Sequence, residues 1–207
     1  MLTSLELRWF CHGVIPEKIN HWFQQGFSGE ELGFPEQRQD QYLSTAGCEH
    51  LGIKLRQSQL EIKWRQQQLG TVHFLNGSEG QVEQWIKWTC LDPATNTLLT
   101  AEGRPEGPWI SVLKIRSQRK YKVSTEQSFV EVPVNESIDQ GCTLELTELS
   151  VKDKSWWSLS FEAFGANSSL KDNLQLVANQ VIQSYPGTAL QSQDSYAYPK
   201  WLSLLAD

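Results

Sequence analysis

Alternation of apolar and polar residues runs through most of the first 165 positions. At residues 5–11, Leu5, Leu7, Trp9 and Cys11 point one way while Glu6 and Arg8 point the other, which predicts a strand. Pro16 opens a predicted short helix to about residue 25, with Ile19, Trp22 and Phe23 at helical spacing and Gly26 as its stop. Residues 29–39 read as a polar loop and 41–45 as a short strand. The clearest hairpin is 51–56 with 60–65, where Leu51, Ile53 and Leu55 alternate with Gly52, Lys54 and Arg56, and Leu60, Ile62 and Trp64 alternate with Glu61, Lys63 and Arg65. Further strands are predicted at 82–89, at 109–123 as one long strand or a pair, and at 129–134, 143–149 and 156–164, with a long loop at 92–108. Pro133 predicts an edge position for its strand. The period then changes: Leu174, Val177, Ala178, Val181 and Ile182 share one face of a predicted helix over 170–185, ended by Pro186 and Gly187. A last helical stretch is predicted over 199–205. Strands in series with helices at the ends predict an α+β fold, mainly antiparallel β, or a barrel with helical flanks.

The composition narrows the function. Nine tryptophans in 207 residues suit a packed core. A net charge of −6 argues against binding bulk nucleic acid, which needs a basic footprint, but leaves room for a local basic pocket. Cys11, Cys48, Cys90 and Cys142 are widely spaced and form no Cys-x-x-Cys pair, so free thiols in a reducing compartment are expected. His12, His21, His50 and His73 show no ligand spacing. No run of 18 apolar residues predicts a transmembrane helix, and Glu6 and Arg8 interrupt the first apolar stretch, so no membrane association and a cytoplasmic location are expected.

Side chains two apart on a strand share a face. The polar strand faces collect Arg8, Lys54, Arg56, Lys63, Arg65, Lys114, Arg116 and Lys120, together with Glu6, Glu61, Glu145 and Glu162. This set carries an excess of four positive charges, so the rest of the chain carries an excess of ten negative ones. An ordinary solvated face with cross-strand ion pairs is one reading. The surplus of cations, and like charges at Lys54/Arg56 and Lys114/Arg116, favour a second: a site for a phosphate-rich anion, with forked contacts from arginine and point charges from lysine. Glu6, Glu145 and Glu162 are then either pairing partners or ligands for Mg²⁺ or Mn²⁺ on the phosphate chain.

The order of these motifs resembles the CYTH superfamily, the triphosphate tunnel metalloenzymes, over nearly the whole chain. Ser4-Leu5-Glu6-Leu7-Arg8-Trp9 sits where that family has Glu-x-Glu-x-Lys and an aromatic residue. Gln41-Tyr42-Leu43, Gly52-Ile53-Lys54-Leu55-Arg56 and Leu60-Glu61-Ile62-Lys63-Trp64-Arg65 resemble its tyrosine strand and basic hairpin. Lys114-Ile115-Arg116, followed by Arg119, Lys120 and Tyr121, resembles its second basic strand. Leu144-Glu145-Leu146-Thr147-Glu148 and Ser160-Phe161-Glu162 resemble its acidic strands, and Ser195-Tyr196-Ala197-Tyr198-Pro199-Lys200 its C-terminal segment.

The resemblance implies a closed, tunnel-like barrel of about eight antiparallel strands over roughly residues 1–165, with a helical segment over roughly 168–207, in one domain. It also implies a ligand of the tripolyphosphate or nucleoside triphosphate class, a divalent metal and hydrolysis of a phosphoanhydride. Ser4 and Arg8 depart from the signature: serine brings no carboxylate charge, and arginine cannot serve as a base. A non-catalytic phosphate-binding or regulatory protein is therefore the first alternative. The second is a lipocalin-like barrel for an apolar ligand, with a tryptophan-lined interior and Lys54, Lys63 and Lys114 facing solvent.

Overall fold

The computed structural model describes residues 2–25, 34–44, 47–56, 59–90, 108–124 and 128–205. The elements run β1 (Leu2–His12), α1 (Glu17–Gln25), β2 (Glu36–Leu43), β3 (Leu51–Arg56), β4 (Gln59–His73), β5 (Glu79–Cys90), β6 (Trp109–Val123), β7 (Phe129–Val132), β8 (Gly141–Val151), β9 (Lys154–Phe164), α2 (Leu170–Gln183) and α3 (Tyr198–Leu204). Among the described residues all strand pairings are antiparallel, in the order β2-β3-β4-β5-β1-β9-β8-β6, and β2 pairs back with β6 over Glu36–Leu43 to close the ring. The result is a closed eight-stranded barrel, and β7 continues the far end of β6 outside it as an edge strand, as Pro133 predicts.

The barrel has its apolar face outside on one flank. Leu5, Leu7 and Trp9 of β1, Leu144 and Leu146 of β8, and Leu159, Phe161 and Ala163 of β9 form one buried cluster with α1 and α2. Leu170, Leu174, Val177, Ala178, Val181 and Ile182 supply the helical side, matching the predicted stripe. Each fully buried aliphatic side chain of this kind contributes about 1.5–3 kcal/mol. Gly80 makes room for this layer, since a Cβ there would lie 2.5 Å from the Trp9 ring. Between β8 and β9, Lys152 and Asp153 both have positive φ, the backbone that a two-residue hairpin turn needs to match strand twist.

Three expectations change. Glu36–Gln39 belong to β2 and not to a loop, because alternate Gln37, Gln39 and Gln41 face outward and the barrel takes the other side. Strand β4 runs on to His73, bent by register shifts near Gln67 and Gly70. Arg119, placed beside the basic strand by the resemblance, points outward: it is buried, donates to the carbonyls of Phe23 and Gln24, and so caps the C-terminal end of α1. Gly26 and nearly all of the 92–108 loop lie outside the described residues. The cysteines are free, with Cys142 buried. Among the described residues no helix is long and apolar enough to cross a membrane.

Candidate functional site

The barrel interior is divided into two zones. At one end Phe10, Ile110, Val112, Leu149 and Val151 turn inward and pack on Trp201, Leu202 and Leu205. Helix α3 and the residue after it therefore plug that mouth. Phe10 stacks on Trp201 with ring centroids 4.9 Å apart and planes 8° apart. The chain is led there by Ser195, which bridges to Trp9, and by the Tyr196 amide, which donates to the Arg8 carbonyl. The expected tunnel is in this respect a cup.

The other zone is a charged cavity of about 140 Å³. Arg8, Arg38, Lys54, Arg56, Lys63, Lys87, Lys114 and Arg116 line it, against Glu6, Glu61, Glu145 and Glu162, an excess of four cations in a chain whose net charge is −6. Strand register sets this face: Lys54 opposes Glu61, Gly52 opposes Lys63, Glu6 opposes Glu162, and Arg38 opposes Lys114. Tyr198 of α3 forms the floor, stacked on Tyr42 at 5.3 Å and 9°. The Arg8 guanidinium carbon lies 4.9 Å from the Tyr198 ring centroid, so cation–π contact ties the plug to the charged zone.

The sequence reading placed Arg8, Lys54, Arg56, Lys63, Lys114 and Arg116 on one face, and all six line the cavity. Arg65 and Lys120 do not. Arg65 pairs with Glu83 at 2.5 Å, and Lys120 is spent on the Glu136 carbonyl at 2.8 Å. Arg38, Lys87 and Trp85 also line the cavity and were missed, and Asp40, buried behind it, was missed with them. Lys54, Lys63 and Lys114 do not face solvent as the lipocalin-like alternative requires, and Trp85 is the single tryptophan of the lining.

Most carboxylates here are shared between two cations. Glu61 meets Lys54 at 3.0 Å and Arg56 at 2.5 Å, Glu145 meets Arg8 at 3.3 Å and Arg116 at 3.4 Å, and Asp40 meets Lys114 at 3.2 Å and Arg38 at 3.4 Å. The exception is Lys63, a single ammonium shared by Glu6 and, at 3.3 Å, Glu162. Burial pushes Lys114 down to about 7, against the pull of Asp40 and Glu145. Burial likewise pushes Lys54 down to about 8, with Glu61 opposing it. Burial would raise Glu145, but Arg8, Arg116 and Lys114 outweigh it and hold the carboxyl at about 2. Lys63 holds Glu162 below the usual carboxylate range. Among the described residues, the buried Nε atoms of Arg8 and Arg116 and the Tyr198 hydroxyl have no hydrogen-bond partner.

The expected metal ligands do not form one set. Among the described residues no three histidine, cysteine, aspartate or glutamate side chains are grouped to hold a metal ion. Glu145 lies in the grip of Arg8 and Arg116, Glu6 and Glu162 already share Lys63, and Ser4 only donates a 3.4 Å hydrogen bond to Glu6. A small divalent cation wants several anionic or neutral oxygens converging on one point. These residues, as arranged, do not fit one.

No family model matches the sequence. No curated protein matches it either. Among solved structures the chain is similar to the PH1819 protein of Pyrococcus horikoshii OT3, at 12% identity over 98% of each chain and a TM-score of 0.48. It is similar to the bh2851 protein of Bacillus halodurans, at 14% identity over 91% of this chain and 95% of that one, with a TM-score of 0.44. It is also similar to the Pct1 RNA triphosphatase of S. pombe, solved in complex with the Spt5 CTD, at 12% identity over 89% of this chain and 82% of that one, with a TM-score of 0.42. The barrel's own geometry, eight antiparallel strands closed around cationic and acidic side chains, is the architecture that the CYTH resemblance implies.

Proposed function

We propose that the cup binds a tri- or polyphosphate anion, either inorganic or as the phosphate chain of a nucleotide. The observation that carries this reading is the surplus of four cations around a cavity of about 140 Å³. Such a field is costly to keep in a low-dielectric interior, and a multiply charged anion relieves it. The mixture suits phosphate: four arginines among the lining residues offer forked donors and four lysines offer point charges. The aromatic plug at Tyr198 closes one end, so the anion enters from the opposite mouth and stops at the floor. The test is thermal unfolding with inorganic tripolyphosphate. A saturable rise is expected, worth about 2.7 kcal/mol at a hundred times Kd. No rise at any concentration, with the fold intact, overturns the reading.

A further inference from the structure

We infer that Lys63 is the resident cation of the cup, standing between Glu6 and Glu162 in the place a divalent metal would take, and that anion capture here is metal-independent. This deepens the proposed function and rests on it. Around the cavity every other lining carboxylate is balanced by two cations, so those positions are already neutral or positive. Among the described lining residues, Glu6 and Glu162, cross-strand neighbours on β1 and β9, are the two carboxylates that share a single ammonium, and there a metal ion would find its best electrostatic welcome. The Lys63 ammonium, reaching across from β4, takes it.

Three neighbours hold this arrangement. Gly52 lies directly opposite Lys63, and a Cβ there would press on Pro199 of the plug at 3.3 Å. Ser4 donates to Glu6, occupying one of its oxygens with a neutral group where a further carboxylate would deepen the negative field. Lys87 is paired in register with Lys63 and also lines the cavity, which adds positive charge on the same side. A divalent ion must therefore displace an ammonium, against the repulsion of Lys87 and Arg8, for two carboxylates and no third. Lys63 can instead offer its remaining donor to a phosphate oxygen while staying paired with both glutamates.

The experiment has two independent readouts on the full chain. The first is calorimetric titration of tripolyphosphate in EDTA and in excess Mg²⁺. The expected result is binding in EDTA, weakened in Mg²⁺ because the metal competes for the same phosphate oxygens. Binding that requires Mg²⁺ overturns the inference and leaves the proposed function standing, whereas no binding in either buffer overturns the proposed function. The second is Mn²⁺ uptake without any anion, read from the loss of the free-ion electron paramagnetic resonance signal. Wild-type protein is expected to take up none in the millimolar range. Lys63→Met, and independently Lys63→Gln, vacates the place between the two carboxylates and is expected to raise Mn²⁺ affinity at least about tenfold. Stoichiometric Mn²⁺ uptake by wild type, or no gain in a folded Lys63 variant, overturns the inference.

Discussion

The Lys114 ammonium lies 3.7 Å from the ring centroid of Tyr198, with its remaining contacts to the Tyr42 hydroxyl at 2.6 Å and to Asp40 at 3.2 Å. One is the most buried cation lining the cavity and the other lies in the first turn of the terminal helix. The charged cavity and the aromatic plug therefore share an atomic boundary, and a change in the plug is felt by the lysine.

Trp201→Ala tests that boundary. Trp201 is fully buried, stacks on Phe10, and meets Trp156 and Tyr198 edge-on at 6.1 and 5.7 Å. Its removal is expected to cost about 3–5 kcal/mol of stability. Tripolyphosphate affinity is expected to fall with it, because Tyr198 loses the surface that positions it. Thermal unfolding and calorimetry on the same preparation read both. A destabilised variant with wild-type affinity would make the plug structural only.

Glu145→Gln should move stability and affinity in opposite directions. Its carboxylate balances Arg8 and Arg116, and removing the charge leaves the buried Arg8 guanidinium without its carboxylate and Arg116 with Glu36 alone. A carboxyl held at about 2 in the fold and near 4.5 when unfolded contributes about 3 kcal/mol. That stabilisation is fully present above the unfolded value and is lost as pH falls through about 2, so the gap between wild type and variant narrows with acid. Affinity for tripolyphosphate should rise about three- to tenfold, since one repelling charge has left the cavity. A variant that is weaker in both respects would show that Glu145 acts on the ligand through geometry.

Lys54→Ala and Lys120→Ala separate lining from flank. Lys54 lines the cavity and Lys120 is bound to a loop carbonyl outside it, although both sit on the same parity of their strands. Lys54→Ala is expected to cost about 1–3 kcal/mol of anion binding, and Lys120→Ala nothing measurable. Equal losses from both would extend the site beyond the cavity.

Parity recovered the basic residues of β1, β3, β4 and β6 because their outward partners are apolar, so the two faces differ along the chain. Arg38 and Asp40 escaped for the opposite reason. Strand β2 reads Glu-Gln-Arg-Gln-Asp-Gln before Tyr42, and both of its faces are polar, one to the lumen and one to water. Only closure of the barrel through β6 makes the segment a strand. Lys87 escaped because its strand is bounded by tryptophans that suggest core packing, although Trp85 shares the lumen with it. The plug was invisible because Phe10, Ile110, Val112 and Leu149 share their parity with the charges. Nothing along one strand says that the same face turns from ionic to apolar halfway down a barrel, or that seven residues of α3 fill the gap.

Anion binding should take up protons near pH 8. In the free protein burial holds Lys114 at about 7 and Lys54 at about 8, so both are largely neutral by pH 9. A bound polyphosphate favours the charged form and raises both values. Below about pH 6 both lysines are already protonated and affinity is flat; above 8 each lysine recharged on binding costs about a tenfold loss of affinity per pH unit. Calorimetry in two buffers of different ionisation enthalpy counts the protons directly, and Lys54→Arg, which stays charged, should remove one of them. The same lysines act on folding with the opposite sign. Their values when unfolded are 10.5, so from about pH 8 to 10 the unfolded chain binds more protons and this pair makes the empty fold more stable as pH rises. Tripolyphosphate should thus stabilise the protein most at neutral pH and least at pH 9, where the empty fold has become more stable and the ligand weaker. Proton-free binding at pH 9 would mean that neither lysine changes its charge when the anion binds, and would overturn this prediction.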